Sequence, residues 1–242
     1  MGESMNAHSP WHVCVLIPAR NEEALLPRCL DSVLKAVESV ARYATTDIIV
    51  AADRCTDLTF PIAEARLRCT GTVVPVNAGA AGAARDQAAR VALSRLRGSL
   101  SHCWIANTDA DCIVPPHWLI DQLLLANLGV EAIAGTVAVD TFNEHGPEVE
   151  SRFRASYTIH ADGSHPHVHG ANMGVRADVY LEAGGWSHLE TAEDHDLWNR
   201  LARDGRRRLS TSRIEVVTSG RRVGRAPHGF AGALASHNEQ AA

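Results

Sequence analysis

A chain of 242 residues buries one sizeable core and fits a single domain with at most a short appendage. Its 45% hydrophobic and 21% charged residues are ordinary for a globular protein, and a formal net charge of −5 argues against a general nucleic-acid binder. Nine arginines nevertheless fall between Arg200 and Arg225, a stretch able to meet an anion, although Lys35 is the only lysine and the choice of arginine is partly coding bias. The six cysteines form no C-x-x-C pair, which excludes a zinc ribbon, and their apolar settings imply a reducing compartment without disulfides. With no signal-peptide pattern and no apolar run of membrane-spanning length, the expectation is a cytoplasmic protein.

In chain order, residues 1–11 read as a loose leader. Residues 12–18 (HVCVLIP) form a buried strand bounded by Pro18. A helix follows, with Leu26, Cys29, Leu30, Val33, Val37 and Val40 on one stripe, its regular part starting near Pro27. Residues 47–52 (DIIVAA) are a second buried strand, 59–68 a helix, and 72–76 (TVVPV) a short strand that Pro75 assigns to an edge or a strand end. An alanine- and arginine-rich helix over 83–96, a strand over 102–107, a helix over 118–128 and a strand over 132–139 complete the regular half. This alternation predicts a parallel α/β sheet with helices on both faces and a ligand at the carboxyl ends of the strands. From Thr141 the pattern loosens, so the boundaries drawn are a nucleotide-binding half over 12–112, an acceptor half over 113–220 and a basic tail over 221–242.

Polar clusters fall just after the strands. In Pro18-Ala19-Arg20-Asn21-Glu22, the plain reading is that Asn21 caps the next helix. In Asp53-Arg54-Cys55-Thr56-Asp57, it is a turn. Thr108-Asp109-Ala110-Asp111 offers two carboxylates to one hard cation, Mg²⁺ or Mn²⁺, which would neutralise a departing diphosphate. Glu193 and Asp194 offer a general base, with Asp194 on the face of Leu197 and Leu201, while Thr191 and Asp194 also have the spacing of a capping box. The glycines of Asn77-Ala78-Gly79-Ala80-Ala81-Gly82 precede the helix that carries Arg85, an arrangement that lets backbone N–H groups approach a phosphate, although a C-cap or plain loop accounts for the glycines alone equally well. His165, His167 and His169 alternate, so a strand would turn them to one face; acceptor-loop or surface roles are favoured there over a transition-metal site.

Taken in order, IPARNE, the aspartate of AADRCTD, NAGAAGAARD, TDADC, HGANMGVR, GGW and EDHDLWNRL resemble the family 2 glycosyltransferases of the GT-A fold, from about Val13 to Leu201. The C-terminal SGRRVGRAPHGF is similar to the tail of small, non-processive members. The resemblance implies a nucleoside-diphosphate sugar donor with uridine as the default base, a hydroxyl acceptor and inversion at the anomeric carbon. It implies that Pro18, Arg20 and Glu22 line the nucleotide pocket, Asp53 holds the base and Arg85 lies near the base or diphosphate. Asp109 would meet the ribose or the metal and Asp111 would ligate the metal, with His228 as a further ligand. Gly170, Ala171 and Asn172 would frame donor sugar and acceptor, and Asp194, then Glu193, would be the base. Arg221, Arg222 and Arg225 could clamp the diphosphate, since guanidinium pairs bidentately with phosphate oxygens; Arg222 is the one assigned to the donor.

Departures narrow the reading. Arg54-Cys55 replaces the usual Gly-Ser turn, and the lack of Q-x-x-R-W and of membrane spans argues against processive polymer synthesis. The alternatives are a retaining 3-phosphoglycerate glycosyltransferase type, a sugar-1-phosphate nucleotidyltransferase, disfavoured because its glycine-rich opening loop is missing, and an inactive sugar-nucleotide binder. A homodimer is compatible with all of them.

Overall fold

A computed structural model describes residues 11–226 and 229–238; His228 and most of the leader lie outside them. The elements are β1 (Trp11–Ala19), α1 (Leu26–Val40), β2 (Ala44–Asp53), α2 (Thr59–Leu67), β3 (Gly71–Val76), α3 (Ala81–Arg95), β4 (Cys103–Asn107), α4 (Trp118–Asn127), β5 (Ala132–Val139), α5 (Val149–Ser156), β6 (Met173–Arg176), α6 (Ala177–Glu182), α7 (Glu193–Arg203), β7 (Arg208–Thr218) and α8 (Phe230–Ser236). The predicted elements of the first half are present with ends moved by at most three residues. Trp11 belongs to β1 rather than to a leader.

One seven-stranded sheet runs in the order β3-β2-β1-β4-β6-β5-β7. The middles of the central strands, Val13–Ile17, Ile48–Ala52 and Cys103–Ala106, are continuous apolar runs because both faces are covered. Val13, Val15 and Ile17 of β1 point to the face packed by α1, α2 and α4. Cys14 and Leu16 point to the face packed by α3, α6 and α7. β3 is an edge strand, so Pro75 costs the sheet no ladder bond.

The sheet is mostly parallel, as the alternation implies, with one reversed strand. β6 pairs antiparallel with both β4 and β5, whereas β5 and β7 are parallel. Asn107, the last residue of β4, lies opposite Met173, the first of β6. The chain therefore enters β6 from the end of the sheet where β4 leaves it. That reversal carries residues 169–172 to the carboxyl ends of the parallel strands, where an α/β sheet binds its ligand.

α3 and the start of α7 meet through Gly82, the last glycine before Arg85. A Cβ there would lie 2.3 Å from the Ser187 carbonyl oxygen and 2.8 Å from Cβ of Glu193, so the glycine serves helix packing. Gly82→Ala is expected to lower unfolding stability by about 1–3 kcal/mol, measured by urea denaturation, because the added methyl must displace the Ser187 backbone and the start of α7.

Candidate active site

At the carboxyl ends of β1, β2, β4 and β7 lies a cleft of about 160 Å³. Pro18, Arg20, Glu22, Asp53, Asp109 and Asp111 line it, with Arg221 and Phe230 closing the far wall. Ala80, Ala81 and Ala84 bring the start of α3 to the same space, and a helix N-terminus favours an anion. The expected tail is thus a wall of the cleft: α8 folds back, and Phe230 packs edge-on against Phe153 and His169.

The first cluster is held by its neighbours rather than by helix capping. Asn21 takes a left-handed φ of 52° and its Oδ1 accepts from the Thr56 N–H at 2.8 Å. α1 begins after Leu25 with no side-chain cap. The Thr59 hydroxyl accepts from the Glu22 N–H at 2.7 Å, which leaves the Glu22 carboxylate free to face the cleft. Asp53 accepts from the N–H groups of Ala78 and Gly79 at 2.8 and 2.9 Å, fixing the loop before α3.

Asp109 and Asp111 follow β4, and an oxygen of each lies with Cys112 Sγ in a group spanning no more than 4.8 Å. Burial, then the neighbouring Asp109 charge, pushes the Asp111 carboxyl up to about 6, although Arg221 pulls the other way. Two close carboxylates with hard oxygens fit Mg²⁺ or Mn²⁺, and the buried cysteine adds a softer atom.

Arg85 is the hub. Only 2% exposed, it donates to Glu193 Oε1 at 2.6 Å and to Asp109. Burial opposes its charge, but Asp109, Glu193 and Asp194 outweigh that and raise its pKa. Gly170 lies directly under it: a Cβ there would stand 2.6 Å from the guanidinium, so only glycine fits. Glu193 is consequently an ion-pair partner buried at the start of α7, not a free base. Asp194 is less buried; its Oδ2 accepts from the Gly170 N–H at 2.9 Å and its Oδ1 from the His195 N–H at 2.8 Å. The capping box is not formed, since α7 starts after Ala192, which has φ of 61° and no side-chain cap.

Two assigned donor residues lie elsewhere. Asn172 is 2% exposed; its amide donates to the carbonyls of Thr136 and Ile214 and accepts from Trp118 Nε1, so it is spent on joining β5, β7 and α4. Arg222 is exposed outside the cleft, its N–H bonded to Glu144, and Arg221 takes the inward position. Adjacent arginines carry no pattern that chooses between them; the turn after Thr218 does. The three histidines do not close on a metal: His167 stacks on Tyr157 at 3.9 Å between ring centroids, and Tyr157 Oη lies 3.0 Å from His169 Nε2. Among the described residues, Asp109, Asp111 and Cys112 form the group whose ligand atoms lie close enough together to hold a metal ion.

Burial pushes the His169 imidazole down to about 4, against the attraction of Asp194. An unfolded histidine titrates near 6.5, so as pH falls the unfolded chain takes the proton first. The stability His169 contributes is present above pH 6.5 and drains away between 6.5 and 4. From this group alone a loss of about 2 kcal/mol is expected at pH 5. Urea unfolding at pH 7 and pH 5 should show a smaller difference for His169→Gln than for the unchanged chain.

The doubly covered sheet and its acidic cleft at the strand ends have the architecture of the GT-A glycosyltransferases. Residues 10–225 match the model of the glycosyltransferase like family 2, and the chain belongs to that family. No curated protein sequence matches it. Among solved structures it is similar to Staphylococcus aureus TarS 1-349 in complex with UDP-GlcNAc, at 15% identity and TM-score 0.63, over 90% of this chain and 61% of that one. It is also similar to the mannosyltransferase PcManGT from Pyrobaculum calidifontis in complex with GDP-Man and Mn²⁺, at 17% identity and TM-score 0.60, over 93% and 68%. The chain spans about three fifths of the TarS fragment. Among the described residues no helix is long and apolar enough to cross a membrane.

Proposed function

We propose that this chain transfers a sugar, with inversion, from a nucleoside-diphosphate donor to an acceptor hydroxyl. The observation that carries the reading is the convergence of Asp53, Asp109 and Asp111, from the ends of β2 and β4, with Glu22 in one cleft beside the start of α3. Asp109 and Asp111 would hold a divalent cation, with Mn²⁺ or Mg²⁺ suited to their oxygens. Once bound, that ion supplies charge neutralisation for the leaving diphosphate. Uridine is the base proposed.

The chain's own groups divide the remaining work. The first turn of α3 presents N–H groups to an anion. Arg85 keeps Asp109 oriented through its bond to Glu193, and Asp194, its carboxylate steadied by Gly170, takes the proton of the attacking hydroxyl. Thermal-shift measurements with UDP and GDP, with and without Mn²⁺, test the donor site. Ligand at about 100 times Kd stabilises by about 2.7 kcal/mol, which moves Tm by several degrees. Asp111→Ala is expected to abolish the metal-dependent part. No response to either nucleotide would count against the proposal, and the anomer of an isolated product decides inversion against retention.

A further inference from the structure

Each aspartate of the acidic pair is already neutralised by an arginine, but the two arginines differ. Arg85, held by Glu193 and nearly inaccessible, is fixed beside Asp109. Arg221 stands just after β7 in the segment that walls the cleft. The preceding Gly220 is tied down, its N–H donating to Asp140 at 2.9 Å and its carbonyl facing His145 Nε2 at 2.8 Å. From that anchor Arg221 reaches both oxygens of Glu22, at 2.9 and 2.6 Å, and its Nη2 lies 3.0 Å from Asp111 Oδ2. The next two side chains turn to solvent: Arg222 is exposed and Val223 is 74% exposed.

A hard cation ligates a carboxylate oxygen at about 2.0–2.2 Å, so a cation on Asp111 Oδ2 would be within van der Waals range of the guanidinium now beside it. Two positive groups do not share that oxygen at low cost. We propose that Arg221 is an internal counter-cation for Asp111, displaced by the divalent ion and delivered by that displacement to the donor diphosphate. The inference rests on the donor-site reading and adds a consequence to it. Metal alone binds weakly because it must evict Arg221. Metal and nucleotide bind cooperatively because the evicted guanidinium finds phosphate oxygens, which it pairs bidentately.

The test is Mn²⁺ affinity of the full chain, followed by the electron paramagnetic resonance of free Mn²⁺, with and without UDP or GDP. Arg221→Gln is expected to bind Mn²⁺ alone about tenfold more tightly and to lose about tenfold of the coupling to nucleotide. Arg225→Gln removes the same charge from the cleft rim, where Arg225 lies 3.8 Å from Glu22 without touching Asp111. It should leave Mn²⁺ affinity nearly unchanged. An equal gain in both variants would mean a general field effect and overturn the proposal, as would unchanged or weaker Mn²⁺ binding by Arg221→Gln. Should Arg221→Gln fold poorly, Arg221→Lys keeps the charge but loses the fork and is expected to shift both quantities in the same directions by about threefold; no shift there overturns the proposal equally. An unchanged chain that binds neither Mn²⁺ nor nucleotide overturns the donor-site reading and this inference with it.

Discussion

Asp194→Asn is expected to leave nucleotide binding within about twofold while sugar transfer falls about 10²–10⁴-fold, the loss that follows removal of a general base. The geometry favours Asp194 over its neighbour. Glu193 is committed to Arg85 in a buried pair, which holds its carboxylate against the guanidinium rather than toward an acceptor. Asp194 keeps a half-buried carboxylate whose two oxygens accept from Gly170 and His195 N–H groups. Asparagine retains one of these bonds and turns an NH₂ toward the other donor, costing about 1 kcal/mol of stability but leaving the cleft residues in place. Initial rates at saturating donor, set beside nucleotide affinity by calorimetry, separate the two effects. Near-normal turnover would remove Asp194 from the mechanism and reopen the choice of base.

Arg85→Met is expected to destabilise the fold by about 3–5 kcal/mol, because it leaves Glu193 buried without its cation. Asp109 loses the same partner, so nucleotide binding should weaken as well. Arg85→Lys is not expected to restore either property, since one ammonium cannot bridge Glu193 and Asp109 as the guanidinium fork does. The double variant Arg85→Met/Glu193→Gln should be less destabilised than the sum of its parts, because the second change removes the charge that the first stranded. Urea unfolding of the four proteins measures the coupling. Strict additivity would show that the pair contributes nothing as a pair.

Much of this was legible before any coordinates. The short continuous apolar runs of β1, β2 and β4, bounded by turn residues, read as strands buried on both faces, and the apolar stripe of α1 as a packed helix, because period and hydrophobicity are local properties of the chain. Pro75 announced the sheet edge, since proline cannot donate to a ladder. The carboxylates after those strands were expected at one end of the sheet, and Asp53, Asp109 and Asp111 do share one cleft.

What the tertiary structure alone decided was the partnership of each polar group. Asn21, Thr191 and Gly82 had sound local roles as cap, capping box and phosphate glycine. Asn21 is held instead by Thr56, 35 residues further on; the α7 start is set by the left-handed Ala192 beside Thr191; and the space over Gly82 is filled by Ser187 and Glu193, a packing role its local pattern does not announce. Asn172 looked like a ligand-framing residue and instead joins three elements, and Arg221 rather than Arg222 faces the acidic pair. The antiparallel entry of β6 lay in the irregular half, where no periodicity marks it. Hydrophobic burial is written into the chain residue by residue, so sequence determines which segments are strands and helices. Ion pairs and hydrogen bonds between residues 35 to 199 apart in the chain depend on which elements the fold sets side by side, and only the folded chain determines that.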